Sequence, residues 1–153
     1  MSARDRVAVA LATVFGAGYA PVAPGTAGSA VTALALWLVP LSRPGLVLVL
    51  AAVVILGTWA AHHAERVIGG KDPGAIVVDE VAGMILSVIA FPLTPAVIAV
   101  GFLLFRVFDV VKPPPAQQSQ RIKGGVGVMV DDLIAGAYAL GVLAVSRALL
   151  GMP

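Results

Sequence analysis

Long apolar stretches alternate with short polar connections along the chain, and glycine, proline and charged residues mark their ends. The stretches lack the strict alternation of apolar and polar positions that is typical of a half-buried strand. At about 16 to 18 residues each, they have the length of helices. The pattern therefore predicts five helices, at residues 26–41, 46–63, 76–91, 96–111 and 133–150.

The composition places these helices in a membrane. Apolar residues make up 59% of the chain and charged residues only 12%, about half the share in an average soluble protein. The mean hydropathy is +1.01, and each predicted helix approaches the roughly 30 Å thickness of the hydrocarbon core. We therefore expect an all-α fold, a compact bundle of about five membrane-embedded helices that forms a single domain over residues 1–153.

The basic residues predict the orientation of this bundle. If the five helices cross the bilayer alternately, the leader before Thr26 and the connections at residues 64–75 and 112–130 lie on one side. Eight of the ten basic residues lie there when Arg106, at the end of the fourth helix, is included. By the positive-inside rule this side is cytoplasmic. The eight are Arg4, Arg6, Arg66, Lys71, Arg106, Lys112, Arg121 and Lys123, against Arg43 and Arg147 on the opposite side. Pro40, Ser42 and Pro44 mark the turn between the first two helices.

Two absences narrow the chemistry. The chain has no cysteine, which excludes a disulfide framework, a thiolate metal site and a cysteine-nucleophile phosphatase. It also has no run of consecutive lysine or arginine residues, so no nucleic-acid partner is expected.

Five of the eight acidic residues lie at the predicted cytoplasmic ends of helices: Asp79, Glu80, Asp109, Asp131 and Asp132. A carboxylate at bilayer depth costs about 2.5 to 3.5 kcal/mol on insertion scales, so these groups need a compensating partner. Mg²⁺ prefers oxygen ligands and commonly bridges carboxylates to a substrate phosphate. We therefore predict that these five residues bind Mg²⁺ and carry out catalysis.

Simpler roles for the same acids stay open. Asp131 could cap the N-terminus of the last helix, a position that aspartate favours. Asp79 and Glu80 could stabilise a helix dipole from its first turn. Asp109 could form an ion pair with Arg106, three residues earlier on the same helix face.

Other residues at this end suit a phosphate group. Gly124 and Gly125 would let backbone amides approach an anion ahead of a helix N-terminus. Arg106 and Lys112 could hold phosphate oxygens. Thr26, predicted to follow a Pro-Gly turn, could cap the first helix or donate its hydroxyl to the phosphate.

His62 and His63 follow Trp59 at the same predicted end. Either histidine could act as a general acid for the leaving alkoxide. The alternative is an interfacial histidine beside an aromatic anchor.

Four segments carry a family resemblance. VAPGTAGS, KDPGAIVVDEVAGM, FRVFDVVKPPP and GGVGVMVDDLIAGA resemble the signature blocks of the phosphatidylglycerophosphatase A family, in the same order and with similar spacing, over about residues 16–141. The resemblance implies a Mg²⁺-dependent enzyme that hydrolyses phosphatidylglycerophosphate to phosphatidylglycerol at the bacterial inner membrane. The apolar spans and the distribution of basic residues further predict a multi-pass protein whose active site faces the cytoplasm. The residues that the resemblance implicates are Thr26, His62, Asp72, Asp79, Glu80, Arg106, Asp109, Lys112, Asp131 and Asp132.

Two other functional classes remain as alternatives. A CDP-alcohol phosphatidyltransferase is also a small helical membrane enzyme with clustered aspartates, and a transporter subunit could bind a permeating cation with its carboxylates. Within the phosphatase class, both a metal-bound water and a carboxylate are candidate nucleophiles. A homo-oligomer is compatible with the sequence, which leaves the oligomeric state open.

Overall fold

The computed structural model describes residues 1–39 and 41–151, and within these ranges it contains helices and no strand. The all-α prediction is confirmed. The helices are α1 (Ala3–Ala12), a 3₁₀ helix (Ala17–Tyr19), α2 (Pro24–Leu38), α3 (Arg43–Ile68), α4 (Val78–Val88), α5 (Pro95–Val111), α6 (Ala116–Ser119) and α7 (Gly125–Leu150). Pro40, which was predicted to lie in the first turn, is outside the described residues.

The five predicted helices correspond to α2, α3, α4, α5 and α7, whereas the pattern missed α1 and α6. The leader was predicted to be a polar connection, which is wrong for Ala3–Ala12. Charged residues interrupt the apolar pattern of α1, but a reciprocal cap starts the helix. Asp5 N–H donates to Ser2 Oγ at 3.1 Å, and Ser2 N–H donates to the Asp5 carboxylate at 2.9 Å, which satisfies two backbone donors that the helix leaves free.

Helix length limits which elements can cross a bilayer. Within the described residues, α3 and α7 are long and apolar enough to do so, and their 26 residues correspond to about 39 Å. On α3, Leu48 is 71% exposed and Ile55 is 69% exposed, as expected for side chains that face lipid. Helix α4 has 11 residues, about 16 Å, which is too short to span the hydrocarbon core. Five separate spans are thus not confirmed.

Helix α4 lies at the centre of the bundle, and nine of its 11 residues are buried. Its closest neighbour is α7, which it meets at a pair of glycines. A Cβ at Gly136 would lie 2.5 Å from the Gly83 carbonyl oxygen, so a side chain there would push the helices apart. Gly83 and Gly136 each lie one helical turn after an acidic residue, Asp79 and Asp132, and the close crossing therefore brings those carboxylates together.

Helix α7 begins eight residues earlier than the predicted start at Leu133. Its first turn packs against the C-terminal half of α3, where a Cβ at Gly125 would lie 2.0 Å from the Thr58 carbonyl oxygen. The glycine-rich segment was assigned to a loop because glycine disfavours helix interiors. Close packing between the two helices overrides that preference, and it places the start of α7 at the same end of the bundle as the end of α3.

Candidate active site

A cavity of about 260 Å³ opens at the end of the bundle where α2, α4 and α7 begin and α5 ends. The backbone of α2 forms one wall at Ala23, Pro24 and Gly25. The charged side chains that line the cavity are Asp72, Asp79, Glu80, Arg106, Asp109, Lys112, Asp131 and Asp132. The five acids predicted from the sequence therefore meet in one place, together with Asp72 and two cationic side chains.

Asp79, Glu80 and Asp132 form a compact group. One carboxylate oxygen of each lies within 4.8 Å of the others, and all three residues are buried. Three of their oxygens are buried without a hydrogen-bond partner in the described part of the chain, namely Asp79 Oδ1, Glu80 Oε2 and Asp132 Oδ2. Burying unpaired carboxylate oxygens is costly, and a divalent cation with oxygen ligands would compensate them. The donor set is therefore suited to Mg²⁺.

Asp109 and Asp131 differ from these three because cationic side chains already contact them. Lys112 Nζ donates to Asp109 Oδ1 at 3.1 Å and to Asp131 Oδ2 at 2.6 Å, which links α5 to α7. Arg106 donates to Asp109, and its Nη1 lies 3.9 Å from Glu80 Oε1. The Arg106–Asp109 ion pair considered from the sequence is thus present. Within the described residues, the five acids thus form two groups: Asp79, Glu80 and Asp132 accept no hydrogen bond from a cationic side chain, whereas Asp109 and Asp131 accept hydrogen bonds from Lys112.

The simpler roles considered for the other acids have different outcomes in the structure. Asp79 and Glu80 do lie in the first turn of α4, where a helix dipole favours negative charge. The capping role of Asp131 is wrong, because α7 begins at Gly125 with Gly124 at the N-cap. Asp131 lies in the second turn of the helix, and its buried Oδ1 has no hydrogen-bond partner among residues 1–39 and 41–151.

Burial and neighbouring charges shift the pKa of two groups that lie outside the two long helices, Asp72 and Lys112. Burial raises the pKa of the Asp72 carboxyl, and the negative charge of Asp131 adds to this effect. Burial alone would lower the pKa of Lys112, but the hydrogen bond to Asp131 and the nearby Asp109 outweigh it and raise the Lys112 pKa above its ordinary value. Lys112 therefore stays protonated and positively charged at neutral pH.

Backbone strain accumulates around the same cavity. Ala23, Asp72 and Lys112 all have φ of 48°, in the left-handed region that residues with a Cβ rarely adopt. All three line the cavity. Strained residues of this kind persist only where the surrounding structure holds them, and they concentrate at functional sites.

Gly25 is a site residue that the pattern analysis missed. The predicted Pro-Gly turn before Thr26 is wrong, because α2 begins at Pro24, and proline suits the first position of a helix. A Cβ at Gly25 would lie 2.2 Å from Glu80 Oε1, so only glycine lets Glu80 approach the α2 backbone. The Pro-Gly pair at a helix start was the available signal. Thr26 is partly buried beside these lining residues but does not itself line the cavity.

Gly124 and His62, both predicted from the sequence, lie at a second cavity beside the first one. Gly124 lines this cavity of about 290 Å³, which shares Asp72 and Asp131 with the first. Gly125 packs against α3, as described above. A Cβ at Gly124 would lie 2.8 Å from His62 Nδ1, which puts His62 beside the second cavity.

His63 and Trp59 pack together one turn apart on α3. The His63 ring lies 4.9 Å from the Trp59 ring, centroid to centroid, and its Nδ1 lies 2.8 Å from the Trp59 carbonyl oxygen. This arrangement is the aromatic pairing considered as the alternative to a catalytic histidine.

A helical bundle with a buried carboxylate cluster that could hold a metal ion, beside an arginine and a lysine, is the arrangement expected of an enzyme that acts on phosphate esters. The sequence matches the family of phosphatidylglycerophosphatase A over residues 10–147. The chain belongs to this family and is a lipid phosphatase. This assignment decides against the phosphatidyltransferase and transporter alternatives.

Three relatives are similar along most of their length. A Bacteroides thetaiotaomicron protein with the provisional name of a phosphatidylinositol-3-phosphatase is 40% identical over 153 residues, which cover 94% of this chain and 95% of the relative. Phosphatidylglycerophosphatase A of Escherichia coli is 36% identical over 87% of this chain and 79% of the relative. That of Haemophilus influenzae is 37% identical over 85% and 82%. No solved structure matches the chain.

Proposed function

We propose that this chain hydrolyses phosphatidylglycerophosphate to phosphatidylglycerol and inorganic phosphate, with Mg²⁺ as cofactor, at the inner face of a bacterial inner membrane. The observation that supports the proposal most directly is the group of Asp79, Glu80 and Asp132 in the same cavity as Arg106 and Lys112. It unites a set of oxygen ligands with two phosphate-binding side chains. The names of two relatives supply the substrate.

Asp79, Glu80 and Asp132 would hold the ion, and Asp131 offers one further buried oxygen. When bound, the ion supplies charge neutralisation of the phosphomonoester and a bound water of lowered pKa. Asp109 holds Arg106 and Lys112 in place through ion pairs on two sides. We assign Asp109 mainly to this positioning role, in addition to its predicted place among the metal ligands.

Arg106 and Lys112 are the proposed phosphate-binding residues, with Thr26 and the amides at Gly124 and Gly125 as nearby donors. Among the described residues, Arg106 Nε is buried and has no hydrogen-bond partner, so the guanidinium that lines the cavity keeps one unsatisfied donor. Lys112 contributes a fixed positive charge against the phosphate oxygens. These side chains orient the phosphorus atom and stabilise the charge on its oxygens.

The basic residues support a cytoplasmic position for the site. Arg43 begins α3 and Arg147 lies near the end of α7, both far from the cavity along helices of 26 residues. Lys71 lies at the cavity end, where its Nζ donates to the Gln120 carbonyl oxygen at 2.8 Å. With α3 and α7 crossing the bilayer, this distribution follows the positive-inside rule.

The test is phosphate release from phosphatidylglycerophosphate by the purified protein in detergent with Mg²⁺. We expect release that a boiled sample does not show. Glu80→Gln and Asp131→Asn should each abolish turnover while circular dichroism shows an unchanged helical content, because each removes a carboxylate of the cavity. A folded wild-type protein that releases no phosphate would contradict the proposal, and a normal rate in either variant would remove that residue from the site.

Phosphatidylinositol 3-phosphate is a second candidate substrate, because the 40% identical relative carries the name of a phosphatase for that lipid. Both lipids present a phosphomonoester on a polar headgroup at the membrane surface, so the cavity chemistry serves either. The same assay with the two lipids at equal surface concentration decides between them. We expect the higher kcat/KM for phosphatidylglycerophosphate, and a preference for the inositol lipid would reverse the assignment.

A further inference from the structure

An apolar groove of about 470 Å³ runs between α2 and α5 on the outside of the bundle, here called the α2–α5 groove. Its volume lies within the range of about 300 to 1,000 Å³ that is typical of ligand sites. Among the residues that line it are Ala30, Leu34 and Trp37 on α2, and Ala99, Phe102 and Leu103 on α5. None of these side chains is charged, so the groove suits a hydrocarbon.

The α2–α5 groove begins about one helical turn from residues of the catalytic cavity on both helices. On α2, Ala30 and Trp37 lie on one stripe with Thr26, which is one turn before Ala30. On α5, Phe102 is followed one turn later by Arg106 on the same stripe. At that end the Arg106 side chain reaches the start of α2, since a Cβ at Gly25 would lie 3.2 Å from Arg106 Nη1. The groove therefore ends about one helical turn before residues proposed to bind phosphate.

The groove, together with the helical turn between it and the cavity, has the length of one leaflet of a bilayer. From Thr26 to Trp37 is eleven residues, or about 16 Å along α2. One leaflet contributes half of a hydrocarbon core of roughly 30 Å. A lipid whose headgroup phosphate lies in the cavity would thus place a chain along the groove as far as Trp37.

The walls of the groove remain open to the surroundings. Trp37 is 58% exposed and Leu103 is 62% exposed, and within the described residues no other helix covers them. Small residues at Ala30 and Ala99 leave space between these walls.

We infer that the α2–α5 groove binds one acyl chain of the phospholipid substrate and thereby positions the headgroup phosphate at Arg106. This inference rests on the proposed function. Bulk lipid is as apolar as the groove, so the benefit comes from packing and orientation of the chain rather than from transfer out of water. The groove therefore makes the enzyme prefer long-chain substrates over short-chain ones.

The test compares dioleoyl and dibutanoyl phosphatidylglycerophosphate in mixed micelles. Ala30→Phe and Ala99→Phe place a ring in the groove at exposed positions, and Ala51→Phe places one on the exposed surface of α3, outside the groove, as the matched control. We expect the ratio of kcat/KM for the long-chain over the short-chain substrate to fall about tenfold in both groove variants, equivalent to roughly 1.4 kcal/mol. The control should keep the wild-type ratio.

A second readout uses phosphatidylglycerophosphate with a photoreactive group midway along one acyl chain, with phosphatidylcholine bearing the same group as the comparison. We expect preferential labelling of α2 and α5 by the substrate analogue. An unchanged ratio in the groove variants, an equal fall in Ala51→Phe, or equal labelling by the two lipids would each overturn the acyl-chain assignment. An inactive wild-type protein would instead refute the proposed function, and the groove assignment with it.

Discussion

Replacing Gly25 by alanine tests whether Glu80 must occupy its observed position. Gly25 lies in the first turn of α2, and its backbone faces the Glu80 carboxylate across the cavity. The added methyl group would lie 2.2 Å from Glu80 Oε1, against an ordinary van der Waals contact of at least 3.4 Å. The oxygen is at the end of a flexible side chain, so the carboxylate moves and the helices stay in place.

The size of the effect follows from that displacement. The Glu80 carboxylate must shift by about 1 Å, and a misplacement of this size in a catalytic group can lower the rate on the order of a hundredfold. Stability should not fall, because alanine in a helix is favoured over glycine by up to about 1 kcal/mol. We therefore expect Gly25→Ala to lower kcat about a hundredfold while the Tm stays equal or rises.

The assay is phosphate release with saturating Mg²⁺ and phosphatidylglycerophosphate, together with the Tm in the same detergent. Gly74→Ala is the matched control, since Gly74 lines the same cavity but a Cβ there would meet nothing within 4 Å. Gly136→Ala should instead lower the Tm, because its Cβ would lie 2.5 Å from the Gly83 carbonyl oxygen. A folded Gly25→Ala protein with wild-type kcat would refute the role assigned to the position of Glu80.

Three further predictions concern charge, metal and topology. Asp72→Asn should raise the Tm at pH 7 without divalent cations and leave it unchanged at acid pH. Because the pKa of Asp72 is raised in the folded protein, its ionisation lowers the stability as the pH rises above the ordinary pKa of an aspartate, and asparagine removes this loss. An equal gain in Tm at acid pH would contradict this reasoning. Mg²⁺ at a hundredfold excess over its dissociation constant should stabilise the protein by about 2.7 kcal/mol, measured as a Tm shift that Asp132→Asn largely abolishes; an equal shift in that variant would remove Asp132 from the metal site. Single cysteines at Gly124 and Gly70, introduced into a chain that has none, should react with impermeant reagents from the cytoplasmic side alone, and labelling from opposite sides would disprove the proposed threading.

The helical class and the position of the charged residues at helix ends could be predicted because both depend on the local pattern of residues. Apolar runs without alternation indicate helices wherever they lie in the chain, and acids at the ends of such runs need a compensating partner in any fold. Helix α1 was not predicted because it has no clear apolar stripe. A cap formed by Ser2 and Asp5 stabilises its start instead. The start of α7 escaped prediction because contact with α3 outweighs the low helix propensity of its glycines.

The sequence alone determined that the protein is helical, that it is apolar enough for a membrane, and which acids and bases lie at helix ends. Only the tertiary structure decided how those acids divide, because ion pairing depends on distances between separate helices. Lys112 on the end of α5 reaches Asp131 on α7, whereas Asp79 and Asp132 meet at the glycine crossing of α4 and α7 without a cationic hydrogen-bond donor. A pattern of residues specifies which groups are available, and the packing of backbones specifies which of them are left without a partner.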